Sequence, residues 1–326
     1  NLPDSLLSGS YTFTITSNNG CTKTETIFVD QPTQIQANFS VDSVSCFGYN
    51  DGVATANVIG GTSTGNVYNY TWTDGSGNIV SNASTAVGLE AGEYTCIVSD
   101  DNGCSFDTTV IVSQPDEIMV QLDPFIFGYD AINDRDIHVS CFGSNDGSIV
   151  AIVTGGNKIT DYEINTTPPT NQVSNEFNGL SSKNYQVTVT DNKGCTGDKT
   201  ITLNQPDQLG LELNDYVNDF GNNISCKGAS DGSIQAVVTG GITFDDGSYN
   251  YTWEDSFGST ISTAPTVAGL IAGEYTCTIT DANGCTITDD VELIEPDYVF
   301  DAQVITTNYG GPGNQTLTVE FLDQTT

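Results

Sequence analysis

The chain has 326 residues, and its 42 Asp and Glu against 7 Lys and Arg give a formal charge of −35 at pH 7. That charge excludes a binder of polyanions such as nucleic acid. With 37% hydrophobic residues the chain is too apolar for a disordered acidic tail, and no run reaches the roughly 18 apolar residues of a membrane span.

In chain order, NLPDSLLSGSY lacks the basic and apolar regions of a signal peptide, so targeting information is expected outside this segment. SYTFTITSNNGC (10–21) reads as a strand and a turn, and a Q-P follows at Pro32. A fuller series then begins with SCFGYNDG (45–52), VIGG (58–61), YTW ending at Trp72, LEAGEY (89–94), DDNGC (100–104) and Q-P at Pro115. The same landmarks return as SCFGSNDG (140–147), VTGG (153–156), LSSKNY (180–185), DNKGC (191–195) and Pro206. They return again as SCKGASDG (225–232), VTGG (238–241), YTW ending at Trp253, LIAGEY (270–275), DANGC (281–285) and Pro296.

A fixed order recurring about every 90 residues is the mark of a tandem array. Residues 1–33 read as the C-terminal part of one repeat, 34–115, 116–206 and 207–296 as complete repeats, and 297–326 as the start of a divergent one. Each repeat has the size and the short alternating runs of an immunoglobulin-like sandwich. The expected fold is all-β: tandem immunoglobulin-like β-sandwich repeats in an elongated array, with one disulfide per repeat. PFIFGYDAINDRDIH (124–138) departs from the regular spacing and reads as an insertion on a loop or edge. Trp72 and Trp253 match the buried tryptophan of such sandwiches, and the G-x-Y segments match a tyrosine corner. The second repeat has DYEI where the others have Y-T-W, so its core is expected to be smaller or differently filled.

Nine cysteines, one histidine and no C-x-x-C argue for disulfides rather than zinc, and so for an oxidising compartment. Residues two apart share a strand face, which puts Tyr275, Cys277 and Ile279 together, as Tyr94, Cys96 and Val98 are. The position of Cys277 is taken by Val187 and Phe13 in other copies, the behaviour of an inward apolar site. Cys96 and Cys277 are therefore read as buried free thiols, an inter-repeat or intermolecular bridge being the alternative. The cysteines present in every complete repeat are expected to pair within it: Cys46 with Cys104, Cys141 with Cys195, and Cys226 with Cys285. Cys21 is left unpaired in this segment.

No catalytic constellation recurs. His138 stands alone in the insertion and reads as a surface imidazole. Asp51, Asp146 and Asp231 in the D-G turns, Asp100, Asp191 and Asp281 in the later turns, and Asp245 with Asp246 in FDDGS are the candidate calcium ligands. None completes an EF-hand spacing, and the favoured role is Asx-turn hydrogen bonding. No other cofactor is expected.

The ordered set S-C-[FK]-G-x-x-D-G, V-x-G-G, Y-x-W, L-x-x-G-x-Y and D-x-N-G-C resembles the SprB repeat family of Bacteroidota gliding-motility adhesins, across all three complete repeats and the leading fragment. The resemblance implies a very large, non-enzymatic, extracellular cell-surface protein exported by type IX secretion. It implies as partners the neighbouring repeats, the gliding machinery and surface polysaccharide. In a protein of that phylum, the O-glycosylation signal D-[ST]-apolar would match Ser5 and Ser43.

Overall fold

The computed structural model describes residues 6–166, 168–219, 221–297, 301–308 and 315–322, with only the backbone for residue 66 and the last two segments. Its strands begin with a hairpin, β1 (Gly9–Thr16) and β2 (Thr22–Val29). The first repeat contains β3 (Gln36–Asp42), β4 (Gly52–Ile59), β5 (Asn69–Asp74), β6 (Ile79–Ser81), β7 (Thr85–Leu89), β8 (Gly92–Ser99) and β9 (Ser105–Val112). The second contains β10 (Met119–Pro124), an extra hairpin of β11 (Gly128–Asp130) and β12 (Arg135–Ile137), then β13 (Gly147–Thr154), β14 (Ile159–Ile164), β15 (Thr170–Gln172), β16 (Glu176–Leu180), β17 (Asn184–Asp191) and β18 (Thr196–Thr202). The third contains β19 (Gly210–Asp215), β20 (Gly232–Thr239), β21 (Asn250–Asp255), β22 (Thr260–Ser262), β23 (Thr266–Leu270), β24 (Gly273–Thr280) and β25 (Thr286–Leu293). A last hairpin pairs β26 (Asp301–Asn308) with β27 (Gln315–Leu322).

Each repeat divides its strands between a three-stranded and a four-stranded sheet. The orders are β3-β4-β7 with β6-β5-β8-β9, β10-β13-β16 with β15-β14-β17-β18, and β19-β20-β23 with β22-β21-β24-β25. Three strands facing four, with the central pair formed by strands third and sixth in the series, is an immunoglobulin-like sandwich.

By contacts the chain forms two compact units: 1–120 with 153–162 and 188–198, and 121–152 with 163–187 and 199–326. In the first unit, Trp72, Cys96, Val98, Ala54 and Ala86 form a closed core, and the Trp72 indole N–H donates to the Ala83 carbonyl at 3.0 Å. In the second unit, Trp253, Cys277, Ile279, Ile234 and Val267 do the same, with the Trp253 indole donating to Ala264 at 3.0 Å. The strand-face reading places these groups well, because period-two alternation sends every second side chain of β8 and β24 inward.

The second repeat fills the place of its missing tryptophan with other groups. Ile164 is buried on β14, and Phe177 is buried on β16, where the first repeat has only Ala86. Phe177 sits opposite Ile149 as Ala86 sits opposite Ala54, so the larger side chain has moved to the facing sheet. Cores tolerate apolar exchanges that keep the inward pattern filled, and the fold survives the loss of the indole.

Tyr94, Tyr185 and Tyr275 each donate a hydroxyl hydrogen bond to the carbonyl four residues back, at Glu90, Ser181 and Ile271, over 3.0–3.1 Å. Tyr11 does the same to Leu7 at 2.8 Å. The L-x-x-x-x-Y landmark is thus a tyrosine corner in all four copies.

Candidate functional site

Each repeat has two ends marked by recurring motifs, and they are built differently. At the exit end the S-C turn follows the first strand. In the first repeat the Ser45 amide donates to Asp51 Oδ1 at 2.9 Å, and the Gly48 amide donates to the Gln114 side chain at 3.0 Å. Gly143 and Gly228 likewise donate to Gln205 at 2.9 Å and Glu295 at 2.7 Å. The residue before each proline is therefore a side-chain cap for the S-C turn, a role the recurring Q-P and E-P pairs carry in plain sight.

At the entry end the Gly-Gly turn meets the D-x-N-G-C turn and the incoming linker. The Gly61, Gly156 and Gly241 amides donate to the carbonyls of Thr33, Asp116 and Asp207 at 2.7, 2.9 and 2.9 Å. The aspartates Asp100, Asp191 and Asp281 tie the corner together. Their Oδ1 atoms accept the amides of Cys104, Cys195 and Cys285 at 2.9, 3.0 and 2.8 Å. Their Oδ2 atoms accept the amides of Thr62, Asn157 and Ile242 at 2.8, 2.9 and 2.9 Å.

Asp191 shows the electrostatics. Burial alone would raise its carboxyl, but donors from Asn157, Lys193 and Cys195 outweigh that and lower it to about 2. Backbone donation from Thr62 lowers Asp100 in the same direction. In the S-C turns, Ser45 lowers Asp51 and Ser225 lowers Asp231, chiefly through side-chain hydrogen bonds. Asp146 accepts the Ser140 amide at 3.0 Å. The six candidate aspartates of the recurring turns thus accept backbone amides, as Asp246 does from Ser248 at 3.0 Å, and among the described residues no group of three or more His, Cys, Asp or Glu could hold a metal ion.

The cysteine pairing differs from the in-repeat expectation. Within the first unit Cys46 is bonded to Cys195, with S–S 2.07 Å and Cα–Cα 5.5 Å. Within the second unit Cys141 is bonded to Cys285, with S–S 2.12 Å and Cα–Cα 5.7 Å. The S-C cysteine of one repeat therefore bonds the N-G-C cysteine of the next. Cys46–Cys104, Cys141–Cys195 and Cys226–Cys285 do not form, and Cys104 and Cys226 are exposed and free, as Cys21 is.

Strand direction explains this pairing. Between Cys46 and Cys104 the first repeat runs through five strands, β4 to β8, and an odd number of antiparallel passes ends opposite its start. With strands of about eight residues the two turns stand roughly 25 Å apart, far beyond the ~7 Å limit for a disulfide. The exit turn instead meets the entry turn of the next repeat.

Further contacts support each bridge. In the first unit, Asn157 Nδ2 donates to the Ser45 carbonyl at 3.2 Å, and Phe47, Tyr49, Pro115 and Ile118 surround the cystine. In the second unit, Asn283 Nδ2 donates to the Ser140 carbonyl at 3.0 Å, with Phe142, Pro206, Leu209 and Ile287 alongside. The second unit adds the insertion, whose Arg135 binds Asp130 at 3.1 Å and Asp207 at 3.0 Å. The insertion is thus a hairpin clamped to the following repeat through the chain's single arginine.

Other sequence candidates take the following places. Cys96 and Cys277 are fully buried and unbonded opposite Trp72 and Trp253, and burial pushes both thiols up to about 11. His138 is not a surface group: it is 7% exposed, and its Nδ1 accepts the Asn204 amide at 3.0 Å. The His138 amide also donates to the Asn204 carbonyl at 2.9 Å, and Asn204 Nδ2 donates to the Asp136 carbonyl at 3.1 Å, which ties the end of the insertion to the segment after β18. Ser43 is exposed, its hydroxyl 2.6 Å from that of Ser113, and Ser5 lies outside the described residues.

Comparison with known proteins gives a family match at two segments, where residues 138–167 and 221–256 fit the SprB repeat. No curated protein matches the chain. Among solved structures, three N-terminal domains of the bacteriophage RB49 Highly Immunogenic Outer Capsid protein align at 14% identity and TM-score 0.38, over 80% of this chain and 95% of that one. A tetra-tandem repeat from the extending region of a large adhesion protein aligns at 15% identity and TM-score 0.30, over 90% and 84%. The N-terminal four Ig domains of Dscam1 isoform 6.9 align at 12% identity and TM-score 0.25, over 91% and 83%. The fold assignment rests on the strand order: the three complete repeats fold as immunoglobulin-like sandwiches bonded from one repeat to the next, and two segments of the chain, 138–167 and 221–256, match the SprB repeat.

Proposed function

We propose that these repeats form the non-enzymatic stalk of a very large secreted adhesin, displayed outside the cell, exported by type IX secretion and moved by a gliding machinery. The observation that carries the reading is the bonding of neighbours: Cys46–Cys195 and Cys141–Cys285 spend the recurring cysteines on joints between repeats. A joint held by a cystine, a pinned linker and an asparagine hydrogen bond resists bending and separation, which suits a load-bearing spacer. The recurring carboxylates are engaged by backbone amides, which supports a structural role for them. Antibodies against this chain should label intact cells of the source organism and move along their surface. Labelling that appears only after permeabilisation contradicts the proposal.

One observation favours a second reading, in which the repeats themselves grip a polysaccharide or protein. Phe125, Tyr129 and Ile132 of the insertion are exposed, 57%, 52% and 91% respectively. Apolar groups left in water on one hairpin are the kind of surface that partners cover. Retention on a surface-polysaccharide column that disappears in Tyr129→Ala supports this reading, and equal elution of both proteins rejects it.

For Ser43, covalent sugar would show as excess intact mass, and the bare polypeptide mass would rule it out in that sample. A thermal midpoint unchanged between millimolar calcium and a chelator is the expected result for aspartates used as turn caps.

A further inference from the structure

We infer that the exposed thiols of Cys104 and Cys226 are complementary sites for further repeats of this kind, so that the two bridges seen are links of a continuing disulfide ladder. Cys226 lies in an S-C turn and takes an N-G-C cysteine, while Cys104 lies in an N-G-C turn and takes an S-C cysteine.

Both turns are already in the shape of their bonded counterparts. Around Cys226 the Ala229 amide donates to the Cys226 carbonyl at 2.9 Å, as Tyr49 and Ser144 donate to Cys46 and Cys141 at 3.1 Å. The Ser225 amide donates to Asp231 and the Gly228 amide to Glu295, repeating the caps of the bonded exit ends. Around Cys104 the amide donates to Asp100 Oδ1 at 2.9 Å, against 3.0 and 2.8 Å for bonded Cys195 and Cys285. The Gly103 amide donates to the Asp100 carbonyl at 3.1 Å, the distance found at Gly194 and Gly284. Nothing in either turn waits on the bond to form.

The second observation is independent of those two thiols. Both bridges in the chain obey one rule, exit cysteine to the next entry cysteine, and none joins like turns. The hydrogen bond beside them obeys it as well, an entry-side asparagine donating to an exit-side serine carbonyl. Asn102 holds in the first repeat the position that Asn283 holds in the third, and Ser225 holds the position of Ser45 and Ser140. The buried thiols of Cys96 and Cys277 are excluded from the ladder by burial and by their raised affinity for protons.

Each link forms by thiol–disulfide exchange with a disulfide oxidant, such as oxidised glutathione or a protein dithiol carrier. The thiolate of Cys226 attacks one sulfur of the oxidant, forming a mixed disulfide and releasing one thiol. The thiolate of the partner's entry cysteine then attacks the Cys226 sulfur and releases the second. Two thiols become one disulfide, and two electrons and two protons pass to the oxidant's sulfurs.

A second copy of this chain supplies both kinds of turn, which makes the rule testable with the protein as it is. Three exposed thiols, Cys21, Cys104 and Cys226, could link two copies in six combinations, of which the rule allows Cys226 with Cys104 and Cys226 with Cys21. The intact chain would be incubated in a glutathione redox buffer, alkylated, and its linked species mapped by non-reducing peptide analysis. The expected result is that Cys226–Cys104 and Cys226–Cys21 peptides dominate and that Cys226→Ser abolishes linked species. Dominance of links between like turns, or thiols that stay fully alkylatable with no linked copies, overturns the inference.

Discussion

Asp191 carries more of the corner than its place in a surface-looking turn suggests. Its two oxygens accept from four backbone or side-chain donors, from Asn157, Lys193 and Cys195, and the carboxyl is held at about 2 against an ordinary 3.8. A carboxyl lowered by folding stabilises the native state above the unfolded value, and that contribution is lost as protons bind the native form. The stability owed to Asp191 should be complete above about pH 4 and disappear as pH falls through about 2. Asp191→Ala should cost about 1–3 kcal/mol near neutrality, read as a shift in urea midpoint, with the difference from wild type shrinking in acid. His138 works at higher pH. Burial lowers its affinity for protons, and its Nδ1 must stay unprotonated to accept the Asn204 amide. The native state then binds fewer protons than the unfolded chain, so stability should decline as pH drops below about 6.5. His138→Gln should flatten that decline in midpoints measured between pH 7 and 5. From sequence, His138 read as a surface group because it stands alone in an irregular insertion, and only the pairing with Asn204, 66 residues on, shows it buried. Cys96 and Cys277 were legible because alternation within a strand is local.

At the scale of elements, the Gly-Gly turn shows why a short landmark recurs. Gly155 has φ +79°, and a Cβ there would meet the Glu117 carbonyl oxygen at 1.8 Å, a backbone atom that cannot move aside. Gly103 has φ +81° with nothing within 4 Å. Gly155→Ala should therefore destabilise by well over the roughly 1–2 kcal/mol expected of Gly103→Ala, where only the left-handed backbone is strained. Thermal melts of the two variants check the ordering. The core of the second repeat makes a related point: Phe177→Ala should cost about 3–5 kcal/mol, while the equivalent position in the first repeat is already Ala86. That the second core would be differently filled could be read from DYEI. That the filling would come from the opposite sheet could not, since the register of β13 against β16 is set by pairing across about 30 residues.

At the scale of the whole molecule, the decisive measurement is the cystine map. Non-reducing peptides should join Cys46 to Cys195 and Cys141 to Cys285. Cys195→Ser should lower the thermal midpoint, the loss of a native bridge being worth about 2–5 kcal/mol, whereas Cys104→Ser should leave it unchanged. In-repeat pairing would give equal losses at Cys46 and Cys104. The bridges join cysteines 149 and 144 positions apart in sequence, one within each compact unit.

Period, turn chemistry and the tyrosine corner are local, so the sequence by itself determined the all-β sandwich, the repeat order, the inward cysteines and the identity of the two special turns. Its strand count also bears on the pairing, because five strands between Cys46 and Cys104 put them at opposite ends of one sandwich. What only the tertiary structure decided is which turn meets which: the exit end of one repeat against the entry end of the next, with Arg135 reaching Asp207 and Asn157 reaching Ser45. Those contacts join residues far apart in the chain, and their distances depend on strand direction and on how each linker leaves its sandwich. Recurring motifs record that a turn is kept, and the fold alone brings its partner within bonding distance.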